Sequence, residues 1–78
     1  MALIKEENIK KLEKTRNTVH QPVESTYTVF ENDGGKFFQI DTYGAPDRKM
    51  PEKISQSIQF DKRMAEYLIK LLKREFDI

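Results

Sequence analysis

The stretch Thr26-Tyr27-Thr28-Val29-Phe30-Glu31-Asn32-Asp33-Gly34-Gly35-Lys36-Phe37-Phe38-Gln39-Ile40-Asp41-Thr42-Tyr43 decides the fold of this chain. It alternates with a period of two on both sides of a turn, which is the mark of paired strands. Asn32-Asp33-Gly34-Gly35 is rich in residues that tolerate positive φ, so the strands Tyr27–Glu31 and Lys36–Tyr43 are expected to form an antiparallel hairpin. Val23, Tyr27, Val29, Phe38 and Ile40 then share one face. Thr26, Thr28, Phe30, Phe37, Gln39, Asp41 and Tyr43 share the other.

Working outward, Gly44–Lys53 reads as a loop and Ile54–Phe60 as a third strand. In that strand Ile54, Ile58 and Phe60 fall inward, with Ser55, Ser57 and Gln59 outward. Gln56 falls on the inward side and is expected near an edge or beside a polar partner. Asp61 is a good N-cap directly after an apolar strand. Met64, Ala65, Leu68, Leu71, Leu72 and Phe76 follow at helical spacing and predict an amphipathic helix, with Met64, Leu68 and Phe38 in the core. Upstream, Ile4–Arg16 has helical propensity and the favourable pairs Glu6/Lys10 and Glu7/Lys11, but a thin apolar stripe. Asn17–Pro22 reads as a linker, because Pro22 blocks a helix.

The expectation is therefore an α+β fold. A small antiparallel sheet of three to four strands is covered on one face by the C-terminal helix, with a lightly attached N-terminal helix. Residues 1–20 form an arm and linker, expected to be dispensable for folding, and 21–78 form the sheet-plus-helix domain.

A chain of 78 residues buries a modest fraction of its surface, which favours association into a symmetric dimer. It has no cysteine, so neither a disulfide framework nor a thiolate metal site supports it, and a reducing compartment fits. No apolar run is long enough to cross a bilayer, and Met1-Ala2-Leu3-Ile4 runs straight into charged residues. The expectation is a soluble cytoplasmic or nucleoid-associated protein.

The lone His20 has no second His or Cys to share a metal with, and Asp33, Asp41 and Asp47 sit in separate elements. No catalytic constellation, phosphate-cradling loop or cofactor motif is present, so the chain reads as a non-enzyme without a cofactor.

The net charge is +1, but it is unevenly spread. Glu24 to Asp47 is acidic, whereas Arg48, Lys49 and Lys53 and the helix are basic. The polar sheet face carries Phe30, Phe37 and Tyr43 among Ser, Thr and Gln. Bases of a single strand stack on such aromatics while cations hold the phosphates. Lys36 adjoins Phe37, and the loop with Arg48, Lys49 and Lys53 adds positive charge, whereas Asp41 would repel phosphate. The same face could instead pack against a second subunit or the N-terminal helix.

The hairpin Thr28–Tyr43, the loop Pro46–Lys53 with its basic residues and proline, and a strand running straight into the last helix together resemble the transcriptional positive cofactor four family and its small bacterial and phage relatives. The resemblance implies a homodimer that binds single-stranded or unwound DNA through its sheet, with a role in transcription, replication or repair. By position it implies phosphate contacts from Lys36, Arg48, Lys49 and Lys53 and stacking on Phe37 and Tyr43. A protein-interaction module on the same fold, docking on a host protein, is the second reading; the acidic centre and near-neutral charge favour it.

Overall fold

Asp33 and Gly34 both take positive φ, 51° and 78°, the pair of left-handed residues that a two-residue hairpin turn requires. The turn fixes the register Asn32↔Gly35 through Ser25↔Thr42. The computed structural model describes residues 1–44 and 53–78. Its elements are β1 (Ala2–Ile4), a 3-10 turn (Glu6–Asn8), β2 (Ser25–Asn32), β3 (Gly35–Tyr43), β4 (Ile54–Asp61) and α1 (Lys62–Phe76). The sheet order is β1-β4-β3-β2. The α+β class, the hairpin, the third strand and the C-terminal helix are as the sequence predicts.

The N-terminus is not. In place of a helix over Ile4–Arg16, Ala2–Ile4 adds a strand parallel to β4, with Ala2 opposite Ile58 and Ile4 opposite Phe60. The sheet is thus mixed rather than antiparallel, and its first strand pairs across the boundary drawn at residue 20. The physical reason is non-local. An isolated helix of about a dozen residues is marginal in water, whereas β4 offers an edge whose N–H and C=O groups need partners. Residues 9–24 carry no regular structure, in keeping with the linker reading of Asn17–Pro22.

Asp61 ties three elements together. It ends β4 in an extended conformation and caps α1, its Oδ1 accepting the Met64 N–H at 2.9 Å. Its Oδ2 accepts from Lys5 Nζ at 2.7 Å. Those two hydrogen bonds, that from Lys5 first, hold the Asp61 carboxyl below its ordinary value of 3.8. The same pairing raises the Lys5 ammonium above its ordinary 10.5. The folded state therefore gains stability from Asp61 above pH 3.8 and loses it as pH falls through the lowered folded value. The gain from Lys5 is lost only as pH rises through its raised value. Asn still caps a helix but cannot titrate. Asp61→Asn is expected to lower stability near neutral pH, to flatten the fall in melting temperature below about pH 4, read by circular dichroism, and to remove the share of the alkaline fall that comes from Lys5.

The helix packs on β4 and the 3-10 turn. Ion pairs Arg63–Glu6 (3.3 Å) and Lys11–Glu75 (3.4 Å) run between α1 and the N-terminal segment. Among the described residues Met64, 2% exposed, is the enclosed apolar side chain. Leu68 and Phe38, expected in the core, are half-buried. Because α1 leans over the β4 side, the apolar face of β2 and β3 stays open: Tyr27 is 67% and Val29 50% exposed. Tyr27, Phe38 and Phe60 form a stack across this face, with ring centres 5.0 and 5.3 Å apart. Ile69, Leu72 and Phe76 of α1 are exposed as well.

A candidate nucleic-acid interface on the polar sheet face

Residues opposite one another in the ladder share a face. Three rows build the polar face: Thr26–Asp41–Ser57, Thr28–Gln39–Gln59 and Phe30–Phe37–Asp61. The rows hold because β3 and β4 pair in step from Phe37↔Asp61 to Thr42↔Gln56. Beyond that point Tyr43 lies opposite Ile54, so Ser55 is an extra residue, a β-bulge. The bulge breaks the inward row expected for Ile54, which is exposed.

Asp41 is the centre of the face and is 5% exposed. Its carboxylate accepts from Gln39 Nε2 at 2.9 and 3.2 Å and from Ser57 Oγ. Gln59 Nε2 donates in turn to Gln39 Oε1 at 2.7 Å. A carboxylate only accepts, so Asp41 fixes which way each amide points. Gln39 must turn its nitrogen to Asp41 and its oxygen to Gln59.

Asp41 is enclosed by these neutral donors rather than standing open at the surface. Asp41→Asn would place an NH2 group against a donor. It is expected to cost about 1–3 kcal/mol by urea unfolding, the penalty of a buried polar group left mispaired. A change within about 0.5 kcal/mol, the usual surface value, would mean the amide chain is not held by Asp41.

The aromatics flank this chain. Phe37 stacks on Phe30, centres 5.6 Å apart and planes 24° from parallel. A Cβ on Gly35 would come within 3.2 Å of the Phe37 ring, so the glycine leaves room for that ring as well as for the turn. At the other end of β3 the Tyr43 hydroxyl lies 3.0 Å from Thr26 Oγ1, which pins the phenol ring. Phe37 and Tyr43 are about 20 Å apart along the strand.

The cations are less simply placed. Lys36 pairs in register with Glu31 and so belongs to the opposite side from Phe37, although at the same end of the sheet. Lys53 is exposed just before β4, near the Tyr43 end. Arg48 and Lys49 lie outside the described residues. Sequence reasoning missed the Gln59–Gln39–Asp41–Ser57 chain, whose members are four polar residues on alternate positions of two strands. It also missed Lys62 at the start of α1, which lines the same cleft as Lys36. Among the described residues no group of three or more His, Cys, Asp or Glu is placed to hold a metal ion. No helix is long and apolar enough to cross a membrane. Comparison of the chain with protein-family models, curated proteins and solved structures finds no match.

Proposed function

We propose that this chain binds single-stranded nucleic acid through the polar face of its sheet, as a dimer joined through its open apolar surface. The observation that carries the reading is the layout of that face. A braced aromatic pair, Phe30 and Phe37, stands at one end and a pinned Tyr43 at the other, with an ordered row of amides and hydroxyls between them. Aromatic faces take unstacked bases of any sequence, and a duplex offers them none. The proposal is of the kind that the likeness to the positive cofactor four family suggests, and it makes the chain a binding protein rather than an enzyme.

Fluorescence anisotropy with a labelled oligo-thymidine at two salt concentrations tests it. Phe37→Ala or Tyr43→Ala should each weaken binding by about 1–3 kcal/mol with the salt slope nearly unchanged. Lys49→Ala or Lys53→Ala should weaken binding and lower the slope by somewhat less than about one. Absence of binding at low salt and micromolar protein would remove the reading.

A second reading has its own observation. The exposed Tyr27, Val29, Leu72 and Phe76 suit a partner that buries apolar area. In the first reading that partner is a second copy; in the second it is another protein, and the chain is an interaction module. Light scattering at tens of micromolar separates them: a dimeric mass supports the first, and a monomer of unchanged surface the second.

A further inference from the structure

β2 is an outer strand of the sheet, at the far end from β1. It is eight residues long, pairs with β3 without a bulge and holds no Lys, Arg or Pro, the usual devices that keep an edge from pairing. Its residues are exposed apart from the half-buried Phe30. The hairpin turn decides which backbone groups point outward. Asn32 and Gly35 close it as a hydrogen-bonded pair. At the far end the Tyr43 N–H donates to the Glu24 carbonyl at 3.0 Å, in the same phase. Even-numbered residues of β2 therefore bond to β3, and Ser25, Tyr27, Val29 and Glu31 turn their N–H and C=O groups outward. We propose that β2 pairs antiparallel with β2 of a second copy about a two-fold axis at Thr28, which joins the two sheets into one and brings Phe30 of each copy beside Tyr43 of the other. The inference rests on the dimer and nucleic-acid reading above and names the seam.

The strand is complementary to itself in this register. Ser25 meets Glu31 and Tyr27 meets Val29, each pair twice, so every outward residue exchanges bonds. No carboxylate stands opposite another. Sliding by two residues loses one of these pairs and sets Tyr27 against Glu31 in one direction and against itself in the other. Tyr27 and Val29, 67% and 50% exposed, are the part of the open apolar surface that meets across the seam. Opposite residues in a ladder share a face, so the polar faces of the two copies also run on into each other. On that side Thr26, whose Oγ1 lies 3.0 Å from the Tyr43 hydroxyl, stands opposite Phe30 of the second copy. The stacked Phe30 and Phe37 lie at the other end of β3 from Tyr43 within one copy. Across the seam they come to the same end as the other copy's Tyr43. A single strand of nucleic acid that crosses the seam there meets rings from both copies, and neither copy holds the whole site alone.

Single cysteines in the full chain read the register, since the sequence has none of its own. On the two-fold axis Thr28 faces its counterpart in a non-hydrogen-bonded pair, Cα atoms about 4.5 Å apart and within disulfide range. Thr26 lies about 14 Å from its counterpart, out of that range. On mild oxidation Thr28→Cys should form the covalent dimer at least about tenfold faster than Thr26→Cys. Val29→Pro removes an N–H that points outward and leaves the β3 ladder whole. Thr28→Glu sets two carboxylates opposite each other. Each should weaken the dimer at least about tenfold by sedimentation, with the circular dichroism unchanged. Val29→Pro, on the face away from the bases, should also weaken oligo-thymidine binding at least about fivefold, the low end of one lost stack. A dimeric wild type whose two cysteine variants oxidise alike, and which stays dimeric with Val29→Pro and with Thr28→Glu, would overturn the seam and leave a dimer joined elsewhere. A wild type that is monomeric at roughly tens of micromolar overturns the dimer and the seam together. If wild type binds no oligonucleotide, the nucleic-acid reading fails along with the shared aromatic site, and the cysteine pair alone decides the seam.

Discussion

Met64→Ala is expected to lower the unfolding free energy by about 2–5 kcal/mol, the range for a buried large-to-small change. For a domain of this size each kcal/mol shifts the melting temperature by about 4–8 °C, so the effect is visible in a single thermal scan. The ground is that Met64 is 2% exposed and sits in the first turn of α1, where its N–H is also the one Asp61 caps. Loss of the side chain empties the place where helix and strand meet. A chain this short has a total stability of order 4–12 kcal/mol, so the variant approaches the limit of folding. Phe76→Ala is the contrast. Phe76 is 70% exposed, and its truncation should leave a monomer's stability within about 0.5 kcal/mol. A stability loss in Phe76→Ala that grows with protein concentration would report the proposed dimer instead. Equal costs for the two variants would contradict the placement of Met64.

The second large effect is expected from removing residues 1–8. Such a chain loses β1, the Lys5–Asp61 pair and the Arg63–Glu6 pair. The ladder bonds are worth about 0.5–1.5 kcal/mol each, and the total should reach roughly 2–4 kcal/mol. The edge of β4 is then unpaired, so the truncated chain should also aggregate more readily. Denaturant unfolding of the truncated chain measures the first effect and light scattering the second. A transition unchanged in midpoint would restore the reading of these residues as a dispensable arm.

Much of the fold was legible because it is local. Asn32–Gly35 specifies its own turn, the alternation from Thr26 to Tyr43 specifies two faces, and Asp61 with Met64 and Leu68 specifies where the helix begins and which stripe it buries. β1 was not legible. Ala2-Leu3-Ile4 is too short to show a period, and the Lys and Glu that follow favour a helix unless an edge elsewhere in the chain is considered. The site divides in the same way. Phe37 and Tyr43 could be placed on a face from alternation alone. The enclosure of Asp41 could not, because it depends on β3 and β4 pairing so that Ser57 and Gln59 stand beside Asp41 and Gln39.

The parallel pairing of β1 with β4 also sets an order of assembly. The β2–β3 hairpin closes over a two-residue turn and can form in microseconds. Joining Lys5 to Asp61 closes a loop that spans 56 positions of sequence, whose entropic cost is met only when β4 is already in place. β1 should therefore be the last strand to add and the first to leave. In native-state hydrogen exchange, the amides of Leu3 and Ile4 should open at low free energy while those of Phe38 and Ile40 wait for global unfolding. The N-terminus then acts as a latch on the sheet and not as its foundation: it opens and recloses many times in the lifetime of one folded hairpin.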